Sequence, residues 1–188
     1  DQISLQGWFN NVSSQVERIE FADGTEWDAS TVSAAARTGT SGDDVLLGGS
    51  SFADVFNGEE GNDRITSSGN NDILNGDAGD DTLAAGYNSR NTQMHGGTGT
   101  DTLRGSRYND TYLFNLGDGF DTIIETAQYG GADVLRFGAG IAASDISLVR
   151  DGQNLLMSHQ NGSDQISLQG WFNNVSSQVE RIEFADGT

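Results

Sequence analysis

Aspartate recurs along the middle of this chain at a spacing suited to holding metal ions. From Asp44 the series runs through Asp54, Asp63, Asp72, Asp81, Thr92, Asp101, Asp110 and Asp121, in steps of 10, 9, 9, 9, 11, 9, 9 and 11 residues. Calcium is a hard cation that takes roughly six to eight oxygens from carboxylates, backbone carbonyls and water. A glycine-rich turn aims several carbonyls at one point, because residues without Cβ reach dihedrals closed to others. One Asp per turn then supplies the charge. A lone Asp in a turn ordinarily hydrogen-bonds its own backbone, but phased copies on a chain of net charge −19 favour ions.

Taken alternately, the series separates into two. Asp44, Asp63, Asp81, Asp101 and Asp121 each follow a glycine two residues earlier: Gly42, Gly61, Gly79, Gly99 and Gly119. Asp54, Asp72, Thr92 and Asp110 follow Phe52, Asn70, Arg90 and Tyr108 instead. If two repeats complete one coil, alternate turns stack on the same edge, and an ion between them takes a carboxylate from each. The expectation is a full calcium ladder along the first, odd edge, with up to four inter-turn sites (44/63, 63/81, 81/101 and 101/121). The even edge, with Asp54, Asp72 and Asp110, is expected to be weaker and broken at Thr92, beside a bulge or loop around Tyr87–Asn91. The last odd turn departs from the rest, since Leu116 stands where its first glycine belongs.

The elements that position these turns follow from the residues after each Asp. Two positions on stand Leu46, Phe56, Ile65, Leu74, Leu83, Met94, Leu103, Tyr112 and Ile123, all apolar or aromatic. One apolar residue at a fixed phase of nine does not make a helical stripe, which repeats every ~3.6 residues. It makes a short strand per repeat with one side chain facing inward.

The segments GTSGDDVLL (Gly39–Leu47), GEEGNDRIT (Gly58–Thr66), GDAGDDTLA (Gly76–Ala84) and GGTGTDTLR (Gly96–Arg104) resemble the calcium-binding nonapeptide of RTX proteins, Gly-Gly-x-Gly-x-Asp-x-apolar-x. The resemblance covers about Gly39 to Ile123. It implies an all-β fold: a right-handed parallel β-roll with several Ca2+ ions in its turns, flanked by antiparallel β-rich segments and one short helix. The stretch from roughly Ala127 onward resembles the β-rich domain that follows such repeats in secreted bacterial proteins. Type I secretion to the exterior or surface of a Gram-negative bacterium is a further implication.

A longer repeat encloses the short one. Residues 1–25 recur without a change at residues 164–188, an offset of 163. A tandem array of such units produces this pattern, and so do matched end caps added by design. The expected organisation is the end of a preceding unit (residues 1–37), the β-roll (38–126) and a β-rich capping segment (127–188). Within the last, Asp133–Phe137, Asp145–Arg150, Asn154–His159, Asp164–Phe172 and Val179–Phe184 alternate as strands do, and Asp151-Gly152 and Asn161-Gly162 signal hairpins. Ala29–Ala36 reads as the short helix, and Trp8, Phe9, Trp27, Trp171 and Phe172 as core of the flanks.

Composition closes off other functions. All 9 basic residues are Arg, against 28 acids, so charge gives no hold on a nucleic-acid backbone or an anionic membrane surface. No apolar run is long enough for a membrane helix. With 0 Cys, disulfides, thiolate zinc sites and cysteine nucleophiles are excluded. Phe137-Gly138-Ala139-Gly140 imitates a dinucleotide fingerprint but leads into a strand pattern. The only histidines are His95 and His159, and they are not at helix spacing to one another. The resulting expectation is a non-enzymatic calcium module that folds after secretion. It would serve as one unit of a stalk or extender in an adhesin-like array, its partners being calcium and neighbouring units. Two alternatives remain: a secretion and folding module for a toxin or hydrolase whose catalytic domain lies elsewhere, and a β-rich flank that binds glycan or another surface.

Overall fold

The computed structural model describes residues 15–49, 53–126, 132–173 and 175–187. A small antiparallel hairpin comes first, strand β1 (Arg18–Glu20) on β2 (Glu26–Asp28). Helix α1 (Ala29–Ala35) follows, started by Asp28, whose side chain accepts from the Thr31 N–H at 2.7 Å. This is the N-cap expected of an Asp ahead of an Ala-rich turn.

From there the chain winds between two parallel sheets. β3 (Val45–Leu47), β5 (Arg64–Thr66), β7 (Thr82–Ala84), β9 (Thr102–Arg104) and β11 (Phe120–Ile124) stack on one side. β4 (Val55–Asn57), β6 (Ile73–Ala78), β8 (Thr92–Thr98) and β10 (Asp110–Phe114) stack on the other. Each strand pairs in register with the one two elements on, Leu46 with Ile65, Ile65 with Leu83, and Phe56 with Leu74. This is the β-roll. All nine residues expected to face inward are buried, Ile65, Leu74, Leu83 and Met94 completely. Their neighbours face out: Val45 and Leu47 flank buried Leu46 and remain largely exposed.

The segment after the roll continues both sheets. β12 (Val134–Phe137) lies parallel on β10, and β16 (Arg181–Glu183) parallel on β12. β15 (Gln165–Gln169) lies parallel on β11, while β13 (Ile146–Asp151) and β14 (Asn154–His159) close that sheet antiparallel to it. One hydrophobic cluster therefore runs from Leu46 through Phe137, Met157 and Ile166 to Val179. Gly152 and Gly162, in the two expected hairpin turns, have φ of 60° and 77°.

Two expectations change here. Trp27 is 40% exposed and lies edge-on to Phe21 on the two-stranded sheet of β1 and β2. Phe172 lies outside the core against the Arg150 guanidinium, 4.4 Å away. Trp171 does pack partly buried against the core, while Trp8 and Phe9 lie outside the described residues. At the eleven-residue step the expected loop is present, with a turn at Tyr87–Asn88 between β7 and β8, and Thr92 takes its place opposite Asp110 in register. Only the carboxylate is missing there.

Candidate functional site

Parallel stacking in register places the odd Asp residues in one column, since Val45 pairs with Arg64 and Arg64 with Thr82. Each then does the same thing. The Asp44 N–H donates to Asp63 Oδ1, Asp63 N–H to Asp81 Oδ1, and Asp81 N–H to Asp101 Oδ1, all at 2.7 Å. Asp101 N–H completes the row to Asp121 Oδ1 at 3.1 Å. The second oxygen of each carboxylate is treated differently: Oδ2 of Asp63, Asp81, Asp101 and Asp121 is buried with no hydrogen-bond partner. An unpartnered buried carboxylate oxygen costs several kcal/mol, about the penalty of a buried charge left uncompensated.

The turns before these residues have one shape. Glu59 and Gly61, Asp77 and Gly79, Gly97 and Gly99, and Gly117 and Gly119 all have positive φ, at the second and fourth positions of each turn. The fourth position is where the sequence places Gly61, Gly79, Gly99 and Gly119, with φ from 100° to 141°. Gly42, in the first turn, does not share this conformation, and nothing lies within 4 Å of where its Cβ would be. At the first position space is tighter. A Cβ on Gly58 would collide with Asp63 Oδ2 and the Gly76 carbonyl oxygen, and one on Gly76 with Asp81 Oδ2 and the Gly96 carbonyl. Each of these two turns thus brings an unpartnered carboxylate oxygen and a carbonyl of the next coil to one small cradle.

Asp54, Asp72 and Asp110 of the even column satisfy their carboxylates within the protein. Asp72 accepts from the N–H of Asp54 at 2.9 Å through Oδ1 and from that of Gly69 at 3.0 Å through Oδ2. Asp110 does the same with Thr92 and Ser106. Asp54 is paired with Arg37. Among the Asp residues of the nine-residue series the unpartnered carboxylate oxygens lie on the odd edge, while further along the even column Asp133 Oδ2 is likewise buried without a partner. Asp44, at the open end of the odd row, accepts through Oδ2 from Thr40 and so belongs with the satisfied group.

Electrostatics follow burial. Desolvation, with neighbouring carboxylates adding to it, raises Asp81 and Asp101 to about 6 and Asp121 to about 8. Among the described residues no three carboxylate or imidazole side chains converge on one point. Any ion here must draw much of its shell from carbonyls, which suits calcium. The donor set, all oxygen with one open carboxylate oxygen per turn, fits that ion.

Two features were missed in the sequence. The residue before each odd Asp forms an outer ladder in the opposite direction: Asn62 N–H donates to Asp43, Asp80 N–H to Asn62, and Thr100 N–H to Asp80, at 2.8 to 2.9 Å. The recurring pairs Asp43-Asp44, Asn62-Asp63 and Asp80-Asp81 were the available signal. The even column also runs further, to Asp133 and Glu180, with Asp110 N–H donating to Asp133 and Asp133 N–H to Glu180.

Comparison with known proteins bears on this geometry. The family model for the haemolysin-type calcium binding protein related domain matches residues 1–31 and 154–188, and that for the RTX calcium-binding nonapeptide repeat matches residues 38–51, 48–83 and 95–111. The iron-regulated protein FrpA of Neisseria meningitidis serogroup C is 35% identical over 74 residues, 39% of this chain and 7% of that protein. Extracellular lipase LipA from Serratia marcescens overlays 77% of this chain and 38% of its own, with a TM-score of 0.45 and 15% identity. The chain thus spans well under two thirds of either relative.

Two outcomes are expected. Asp81→Asn keeps Oδ1 but removes a buried charge, so it stabilises the chain in chelator and destabilises it in calcium. Asp72→Asn sets an amide against the Gly69 N–H and costs about 1–3 kcal/mol in both conditions. Urea unfolding of the two variants with and without calcium checks this. The raised carboxylates set the pH dependence in chelator. Their stabilising protons are fully bound below the ordinary Asp value of 3.8 and lost as pH rises through about 6 and then about 8. Metal-free protein should therefore be more stable at pH ~4 than at pH ~8, as thermal melts across that range would show.

Proposed function

The chain belongs to the RTX calcium-binding repeat proteins, and from that premise we propose that it is a structural module whose ions sit between successive odd turns. Calcium, the ion these repeats bind, supplies positive charge and a demand for oxygen ligands. Asp63, Asp81, Asp101 and Asp121 offer Oδ2, and the glycine turns, Gly61, Gly79, Gly99 and Gly119 among them, offer carbonyls. The observation that carries the reading is the row of four buried carboxylate oxygens without partners. Asp54, Asp72 and Asp110 hold the even edge by hydrogen bonds and an Arg pair rather than by metal, and Asp44 and Gly42 form the open first turn.

Folding is coupled to the ion. Without it, like charges a few ångströms apart repel, and one inward apolar side chain per rung offsets little chain entropy. Binding energy available only to the wound roll becomes folding energy. Extracellular calcium modules bind at about 10⁻⁴ to 10⁻³ M, far above cytosolic free calcium. The chain would thus pass out of a Gram-negative cell unfolded and wind up outside, where RTX proteins typically act. No helix among the described residues is long and apolar enough to cross a membrane.

As a whole the module serves as one unit of a tandem array, a stalk or extender in a surface protein. The 25 residues repeated without change at the two ends support this, since identical units suit a part whose task is length and stiffness. The same domain model matches both copies.

A calcium titration followed by far-UV circular dichroism tests the reading, with magnesium as control. A cooperative coil-to-β transition near ~1 mM calcium, absent with magnesium, is expected. A chain already wound in chelator at pH ~8 and indifferent to calcium would contradict it.

A further inference from the structure

The net charge of −19 is not spread evenly over the roll. The odd turns 39–43, 58–62, 76–80, 96–100 and 116–120 hold six acids, all but Asp118 exposed, and no Arg. The even turns 67–71, 85–91 and 105–109 hold two Arg, Arg90 and Arg107, and no acid. Asp72 and Asp110, which follow the first and last of these even turns, are buried and accept N–H groups of the protein. Solvent therefore meets carboxylates along the odd edge and arginine along the even one.

Both arginines are built into one stack with tyrosines. The Arg90 guanidinium lies 4.0 Å from the Tyr108 ring centroid. Arg107 lies 5.2 Å from the ring of Tyr87 and donates to the Tyr108 hydroxyl at 2.8 Å. Tyr87 belongs to the loop of the eleven-residue step and is 54% exposed. Successive even turns are tied together beside the stack: Ser106 Oγ donates to the Ser89 carbonyl at 3.0 Å, and Asn91 Nδ2 to Asn71 Oδ1 at 3.1 Å. A guanidinium that stacks through its face keeps its in-plane N–H fork, which matches a carboxylate. Side chains held in place before a ligand arrives lose less entropy on binding it.

We propose that this surface of the even edge, Tyr87, Arg90, Arg107 and Tyr108 with Asn71 and Asn91, binds an acidic glycan, a chain of sugars with carboxylates on some of its units. The arginines take a carboxylate, the exposed Tyr87 ring takes the apolar C–H face of a sugar, and the asparagines serve its hydroxyls. The overall charge sets how dense the ligand's own charge can be. Repulsion from 28 acids works against a dense polyanion such as a nucleic acid. Carboxylates spaced along an otherwise neutral polymer meet the two arginines, while acids more than ~8 Å away are screened at physiological salt. The stack joins turns of successive coils, so the surface rests on the wound roll proposed above and gives that module a ligand as well as a span.

Calorimetric titration in calcium with an oligosaccharide of alternating glucuronate and N-acetylglucosamine tests this. Circular dichroism on the same samples reports whether the roll is wound. Saturable binding is expected, and the carboxyl-reduced oligosaccharide should not show it. Affinity should fall about tenfold or more in Arg90→Gln/Arg107→Gln and several-fold in Tyr87→Ala, with the calcium-induced circular dichroism unchanged. Carboxylates bridged by calcium to the odd edge would instead bind the double Arg variant as well as the parent chain. That result, no binding by a wound roll, equal binding of the reduced oligosaccharide, or tighter binding of single-stranded DNA overturns the glycan surface and leaves the calcium module standing. A chain that stays unwound in calcium overturns both readings.

Discussion

Coils that stack at ~4.8 Å bring every repeated side chain close to its own copies. For leucine or isoleucine this is favourable; for aspartate it is costly. The roll depends on how that cost is met, and its two edges meet it differently. Along the even edge, turn N–H groups take up the carboxylates of Asp72 and Asp110, Arg37 pairs with Asp54, and Thr92 replaces an acid altogether. Along the odd edge the glycine turns turn their N–H groups elsewhere, and Oδ2 of Asp63, Asp81, Asp101 and Asp121 is buried without a hydrogen-bond partner. In the proposed reading the odd edge is the one that metal completes.

The rest of the architecture follows. Three-residue strands with one inward side chain build a narrow core, and that core is extended by β12, β15 and β16 rather than by a separate layer. The same extension changes the odd column: opposite Asp121 stands Ile166 in register, and the nearby carboxylate, Asp164, accepts the Gly117 N–H of the last odd turn through Oδ2. The even column ends on exposed Glu180, where solvent relieves the charge.

Much of this was legible in the sequence, because the nine-residue phase ties each Asp to a buried residue two places on. The rungs from Leu46 to Ile123, the glycine bias of the odd edge and the flank strands can all be read that way. The continuation to Asp133 with Leu135 and Glu180 with Ile182 obeys the same rule but is hidden by long excursions between rungs. Trp27 shows the other limit. Its sequence is that of a core residue, yet it is 40% exposed beside Phe21 on the short β1–β2 hairpin. The division of labour between edges was only half visible. Glycine spacing marks which turns differ, but whether an Asp oxygen meets an N–H, as at Gly69 and Ser106, is settled by turn geometry that composition does not encode.

The most direct measurement is anomalous scattering from crystals of the calcium-loaded chain. Calcium peaks in a single row between successive odd turns, bonded to Oδ2 of Asp63, Asp81, Asp101 and Asp121, with none along Asp54, Asp72 and Asp110, is the predicted result. Peaks distributed over both edges, or only along the even one, would contradict the account.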